Sequence, residues 1–120
     1  MMPYEKFDAW KFAHRLALEV YDVTERWPSS ERYQLTAQTR RAALSAPTNI
    51  AEGAAKRGTR EFRKYLDIAL GSLSELSYLL RFSRDRGILK DESFRSLDEL
   101  RNRTGVLTWR LYGCMTRKGT

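Results

Sequence analysis

The fold is decided by a proline-free stretch, residues 59–86, which reads TREFRKYLDIALGSLSELSYLLRFSRDR. Its apolar residues recur every three or four positions, so they share one face of an α-helix. Ile68 and Leu79 widen this apolar arc past half of the helix circumference. The glycine that follows, Gly87, is a natural residue to end a helix, and Thr59 is a suitable N-cap. The stretch predicts one long amphipathic helix, whose main apolar stripe consists of Phe62, Tyr65, Leu66, Ala69, Leu70, Leu73, Leu76 and Leu80.

The segments on either side have the same helical periodicity and no alternating strand pattern. They predict a first helix from about Asp8 to about Trp27, a second from about Arg32 to about Lys56, and a fourth from about Asp91 to about Met115. Four amphipathic helices joined by short links are typical of an antiparallel up-down-up-down four-helix bundle. With 120 residues, the chain is predicted to be one all-α domain over residues 1–120.

The second helix has few large aliphatic residues. Small side chains recur on one of its faces instead, which allows a neighbouring helix to approach closely. Pro47 removes one helical hydrogen bond and is predicted to kink this helix between residues 43 and 47. Asn49 and Glu52 flank the proline, and their polar groups are predicted to satisfy the backbone carbonyl freed there. The face of small residues consists of Thr39, Ala42, Ala43, Ala46, Ile50 and Gly53.

The apolar arcs of the first and third helices are wider than one bundle core requires. Trp109 and Val106 likewise lie outside the apolar seam of the fourth helix. A second buried surface would explain these positions, so we predict that copies of the chain associate with one another. The alternative is a thick core within a single chain.

The residues for catalysis or metal binding are scarce. The chain has one cysteine, Cys114, and one histidine, His14, which excludes an internal disulfide and any Cys or His cluster. It has neither the Glu-x-x-His motif of di-iron bundles nor a Gly-rich phosphate loop. We therefore predict no enzymatic activity, catalytic residue, cofactor or metal, with His14 as a packing residue and Cys114 as buried filler. Because apolar runs are short and no apolar signal region opens the chain, we expect a cytoplasmic protein without a membrane partner.

The charge balance points to an anionic partner. Lysine and arginine number 22 against 15 acidic residues, which leaves a net charge of +7, and 16 of the 22 are arginine. Basic chains of this size commonly bind nucleic acid or an acidic protein; the alternative is solubility together with ion pairs between subunits. Part of the densest run opens the third helix, where the helix dipole disfavours cations. We predict an anion-binding patch at Lys56, Arg57, Arg60, Arg63 and Lys64. All of these except Arg57 share one helical face if the second and third helices are nearly continuous.

Ion pairing offers structural alternatives for some arginines. Arg63 is spaced to pair with Asp67 one helical turn later. Arg40 and Arg41 lie within the second helix beside small residues, and we predict that they pair with Glu75 in a buried or interfacial network that sets the register of subunits. The functional alternative for Arg40 and Arg41 is phosphate binding in a groove or a ring lumen.

Three stretches also resemble a known family. The run RRAALSAPTNIAEG at residues 40–53 resembles the signature of the four helix bundle proteins, also called 23S rRNA intervening-sequence proteins. Glu61 and Phe62, followed by LGSLSEL at residues 70–76, resemble the third helix of that family, and Trp10 with Tyr21 resembles its first. The similarity covers about residues 7–90, whereas residues 95–120 match only in general character.

The resemblance implies a small bacterial cytoplasmic protein that forms a homopentameric ring. Some relatives are basic accessory subunits that bind nucleic acid and a reverse transcriptase, and others are encoded within inserts of ribosomal RNA genes. We therefore expect a non-enzymatic ring-forming protein that binds RNA or DNA through phosphate contacts. The alternative is a scaffold or accessory subunit whose arginines form salt bridges between subunits without binding nucleic acid.

Overall fold

The computed structural model describes residues 1–118, and in this part of the chain all regular structure is helical. The four helices are α1 (Asp8–Thr24), α2 (Ala37–Ala54), α3 (Thr59–Asp85) and α4 (Asp91–Lys118). Each helix packs on its neighbour in sequence, α1 also packs on α4, and the most extensive contact joins α2 to α3. The all-α, four-helix fold that the periodicity predicted is confirmed.

The helix ends differ from the prediction at several places. α1 ends at Thr24 rather than Trp27, because Pro28 disfavours helical backbone in the residue before it. The second helix begins with a π-helical segment, Arg32–Thr36, and only then continues as α2. At the end of α3 the prediction is confirmed, because Gly87 has a φ of 76° and its amide donates to the carbonyl of Arg84.

The predicted face of small residues in α2 is buried against the other helices. All six of its positions are inaccessible to solvent, and Pro47 is buried with them inside an unbroken helix. At the end of α2 the approach to α3 is very close: a Cβ atom on Gly53 would lie 2.7 Å from Cβ of Tyr65 and 2.9 Å from Cδ1 of Phe62. The absence of a side chain at this glycine therefore permits the tight α2–α3 crossing.

Asn49 has a different partner from the one that was predicted. Pro47 frees the carbonyl of Ala43, but the Nδ2 atom of Asn49 donates to the carbonyl of Ser45 at 2.8 Å and to its Oγ at 3.0 Å. The same Oγ lies 2.8 Å from Oγ of Ser72 on α3. Asn49 therefore supports the α2–α3 contact rather than the proline. Glu52 is exposed, and its side chain forms no hydrogen bond or ion pair within residues 1–118.

The core of the single chain buries only part of the wide apolar arcs. Leu79 is buried, as a thick core would require, whereas Ile68 is 44% exposed. Trp109 is 62% exposed and Val106 is exposed as well, so α4 carries apolar surface outside its seam, as predicted. Within residues 1–118, no helix combines the length and the apolar character needed to cross a membrane.

Candidate nucleic-acid interface

The five cations predicted as a patch lie where the chain passes from α2 to α3. α2 ends at Ala54, residues 55–58 leave helical geometry, and Gly58 adopts a φ of 84° immediately before α3. The two helices are therefore not continuous, and the hypothesis that the cations share one helical face is wrong. We call this region the cationic corner, and its members are Lys56, Arg57, Arg60, Arg63 and Lys64.

Three members of the cationic corner have no partner within the described part of the chain. The side chains of Arg57, Arg60 and Lys64 are exposed, and none forms a hydrogen bond or ion pair with residues 1–118. Lys56 is also exposed, with its Nζ atom 5.4 Å from the ring centroid of Tyr65. Glu61 is exposed and forms no ion pair with residues 1–118 either. The corner thus keeps an excess of uncompensated positive charge.

Arg63 has a structural contact that the other members lack. It is half-buried, and its Nη1 atom donates a hydrogen bond of 3.1 Å to the carbonyl of Met115. This carbonyl belongs to the last turns of α4. The alternative pair with Asp67 does not form, because Arg63 extends to α4 instead of along α3. Arg63 therefore joins the start of α3 to the end of α4.

Two further lysines join the cationic corner through the fold. Lys6 and Lys118 line the same surface groove as Lys56, with a volume of about 300 Å³. The apolar residues of this groove include Phe7 and Met115. Neither lysine was predicted as part of the patch, since they lie near opposite ends of the chain and only packing in the folded chain brings them to residue 56. No local sequence signal identifies them.

Arg40 contacts the end of α1 rather than Glu75. Its Nε atom donates to Oγ1 of Thr24 at 2.7 Å, and its Nη2 atom donates to the carbonyl of Tyr21 and to Oε2 of Glu25, both at 3.2 Å. The guanidinium also lies 4.5 Å from the ring centroid of Tyr21. The predicted pairing with Glu75 is thus wrong within the chain, since all of these contacts tie α2 to α1.

Arg41 and Glu75, the other members of that predicted network, are both exposed. Neither side chain forms an ion pair or hydrogen bond with the residues that the structure describes. The structure therefore does not bring Arg41 and Glu75 together within residues 1–118.

A larger groove between α1 and α4, of about 770 Å³, also contains arginines. Arg15 in this groove is paired with Glu19 at 3.0 Å, and Arg103 lies 5.5 Å from the ring centroid of Phe12. The pair with Glu19 and the carboxylate of Glu99 offset part of the positive charge, although Arg110 in the same lining has no ion pair within residues 1–118. The α1–α4 groove is therefore a weaker candidate for anion binding than the cationic corner.

The two residues with possible catalytic chemistry, His14 and Cys114, line neither of these grooves. His14 is exposed and stacks on Trp10 with 5.0 Å between ring centroids, so it packs on an aromatic ring at the surface of α1. Cys114 is half-buried, where full burial was predicted. Among residues 1–118, no three His, Cys, Asp or Glu side chains are grouped as metal ligands would be.

Comparison with known proteins identifies the family to which these helices and the cationic corner belong. No curated protein matches the chain. The family model described as 23S rRNA-intervening sequence protein matches residues 5–108. The match includes all of α1, α2 and α3, the cationic corner, Arg40, Arg41 and most of α4. It confirms the family resemblance of the helical signature at residues 40–53 and extends it beyond residue 90. The chain therefore belongs to the 23S rRNA-intervening sequence protein family.

Proposed function

We propose that this chain is a non-enzymatic protein that binds RNA or DNA through phosphate contacts at the cationic corner. The observation that carries the proposal is the exposure of Arg57, Arg60 and Lys64 without any partner in residues 1–118. Lys6 and Lys118 add positive charge beside them. Several cations at one place neutralise successive phosphates, which is the main source of affinity in sequence-independent binding.

The local energetics of α3 favour an anionic ligand. Arg60 is the second residue of α3, so its charge lies beside the positive end of the helix dipole. The N-cap of α3 is Gly58, which supplies no side-chain hydrogen bond to the first amides. A bound phosphate would compensate both the repulsion of Arg60 and the unpaired amides. Arg40, by contrast, is already satisfied within the chain and is not part of the proposed site.

The test measures binding to nucleic acid across a salt series. A variant that carries Arg57→Gln, Arg60→Gln and Lys64→Gln should bind more weakly, and the slope of log K against log salt should fall by about three. The matched control carries Arg81→Gln, Arg86→Gln and Lys90→Gln. It loses the same charge from exposed positions at the other end of α3 and its link to α4. The control should keep the slope of the wild-type chain.

Two results would contradict nucleic-acid binding at the corner. One is an affinity that persists at high salt, since phosphate contacts weaken as counterions compete. The other is an equal loss in the test and control variants, which would reflect total charge alone. A chain that purifies without absorbance from nucleic acid and shows no gel shift would support the alternative, a protein scaffold or accessory subunit, for instance beside a reverse transcriptase.

We also propose that the protein assembles as a homopentameric ring. Leu44 and Ile68 support association, because both are exposed and lie next to the Ser45–Ser72 contact between α2 and α3. For a pentamer, light scattering would give a molar mass five times the 14.0 kDa of one chain. A monodisperse species of 14.0 kDa at micromolar concentration would overturn this part of the proposal. The bacterial origin and cytoplasmic location implied by the family resemblance belong to the same proposal.

Two finer features of the fold are proposed with the function. An antiparallel up-down order of the helices is supported by contacts that join the end of one helix to the start of the next, such as Arg40 with Thr24 and Gly53 with Tyr65. A bend of α2 near Pro47 is expected from the missing amide. The distance between spin labels at the two ends of α2 would test the bend, since a straight helix gives a longer value. The distance between labels at the start of α1 and the end of α2 would test the antiparallel order, since a parallel arrangement places these two points far apart.

A further inference from the structure

Trp109 on α4 is an exposed aromatic side chain held in a defined orientation. Its ring is 62% exposed and lies parallel to the ring of Tyr112, with centroids 5.5 Å apart and an angle of 2° between the planes. Tyr112 is half-buried and packs against the hydrophobic core. The stacked pair therefore anchors the indole while most of its surface remains open to solvent.

The position of Trp109 relates it to the cationic corner. The hydrogen bond from Arg63 to the carbonyl of Met115 places the last turns of α4 beside the first turns of α3. Trp109 precedes Met115 by six residues, which is about 9 Å along a helix axis. Arg110 follows the indole in sequence but lines the α1–α4 groove, so it is not counted with the corner. Measured along the axis of α4, the open aromatic ring thus lies about two helical turns from the contact that joins Arg63 to this helix.

An aromatic ring beside cations suits one class of ligand in particular. A single-stranded nucleic acid has unpaired bases whose faces stack on exposed aromatic rings while cations contact the phosphates. In a duplex the base faces are already stacked on one another, so such a ring gains nothing from them. Stacking also tolerates any base, which fits a chain without base-reading motifs.

We propose that Trp109 is a stacking platform for an unpaired base of a single-stranded nucleic acid whose phosphates lie on the cationic corner. The inference rests on the proposed function and narrows its ligand from nucleic acid in general to single strands. It assigns Trp109 to ligand binding rather than to the contact between subunits that its apolar character first indicated. RNA and DNA strands share the stacking chemistry and are separated only by experiment.

The test compares Trp109→Leu with Tyr78→Leu, which removes another exposed aromatic ring, on α3. Each full-length variant is titrated at one fixed salt concentration with oligouridylate, with oligothymidylate and with a blunt DNA duplex. Trp109→Leu should weaken binding of one or both single strands by roughly 5- to 150-fold. Its duplex affinity and its salt slope should stay those of the wild-type chain. Tyr78→Leu should leave all three affinities unchanged, and Trp109→Phe should restore most of the loss.

Fluorescence gives a second readout that does not depend on affinity. In a variant whose other tryptophans, Trp10 and Trp27, are replaced by phenylalanine, addition of a single strand should quench the emission of Trp109, whereas the duplex should not. Unchanged emission together with unchanged single-strand affinity in Trp109→Leu would overturn the inference. So would a lower oligomeric mass of Trp109→Leu in light scattering, since that result assigns the ring to a contact between subunits.

The outcomes also separate this inference from the function on which it rests. If the wild-type chain binds neither single strands nor duplex, the proposed function itself fails. If it binds both with a steep salt dependence and Trp109→Leu changes neither, the cationic corner remains the binding site and only the stacking role of Trp109 is overturned.

Discussion

Arg40 on α2 and Arg60 on α3 are two arginines of this basic chain whose surroundings are opposite. Arg40, near the start of α2, donates three hydrogen bonds and lies over the ring of Tyr21. Arg60, near the start of α3, contacts no side chain of the described residues by a hydrogen bond or ion pair. The helix dipole disfavours a cation at Arg60, the second residue of α3, whereas Arg40 lies well inside the continuous helix that begins at Arg32. Contacts within the chain hold the charge of Arg40 only.

This difference teaches how to separate structural from functional cations in a basic protein. A charge whose donors are already used by the fold has little capacity left for a ligand, whereas an exposed charge in an unfavourable position retains all of its donors. The family match covers both arginines and does not distinguish them. The number of partners in the folded chain does distinguish them, and each of the following variants is designed to alter one side of this contrast.

The largest effect is expected from Gly53→Ala, which would disturb the packing that supports the cationic corner. The new Cβ would lie 2.7 Å from Cβ of Tyr65, an atom close to the backbone that has no room to move away. We expect a loss of about 2 kcal/mol in the free energy of unfolding, as is typical of overpacked sites. Urea denaturation followed by circular dichroism measures this loss.

Gly71→Ala is the matched control for that substitution. Gly71 is also helical, but a Cβ atom there meets nothing within 4 Å. Since alanine is the better helix former, this variant should gain about 0.5–1 kcal/mol. Equal stability changes in the two variants would show that the close approach of α2 and α3 at Gly53 is not the source of the effect.

The next largest effect is expected from Arg40→Met, which removes the partnered cation. The bonds to Thr24 and Tyr21 would be lost, and we expect about 1–2 kcal/mol of destabilisation. The ion pair with Glu25 adds little, because that carboxylate is 78% exposed. Thermal unfolding measures the loss of stability in Arg40→Met and in the control variant Arg41→Met. Arg41 has no partner within residues 1–118, so a similar change in both would contradict the structural role of Arg40.

The smallest effect on stability is expected from Arg60→Glu, which should stabilise the chain, whereas Gly53→Ala and Arg40→Met destabilise it. An acidic residue in the first turn of α3 interacts favourably with the helix dipole, so stability should rise by about 0.3–1 kcal/mol while nucleic-acid affinity falls. Arg57→Glu, outside the helix, should lower affinity without the gain in stability. The contrast between Arg40 and Arg60 would fail if Arg60→Glu destabilised the chain as Arg40→Met does.

Much of the fold was predictable because it depends on local periodicity. The long apolar stripe of α3, the small residues of α2 and the glycine after α3 are all where the sequence analysis placed them. The ends of α1 and α2 were less predictable, since proline and a π-helical turn alter the backbone near Trp27 and Arg32. The five corner cations were likewise identified from their density in the sequence.

The partners of the charged residues were not predictable in the same way. Arg40 is 15 residues from Glu25, and Arg63 is 52 residues from Met115, so neither contact follows from helical spacing. The nearest charge at a helical interval, Asp67 for Arg63, was the wrong choice, because Arg63 donates to a carbonyl near the end of α4 instead. The position of Lys6 and Lys118 at the corner was not predictable either, because only packing between distant segments brings them to Lys56.

The sequence by itself determined that this chain forms four amphipathic helices with a dense group of cations between the second and third. It did so because helical periodicity and helix ends depend on residues within a few positions of one another. Only the tertiary structure decided which arginines are used up by the fold and which remain available. That distinction depends on side chains from distant helices meeting in space, where each donor either finds an acceptor or stays open to a ligand.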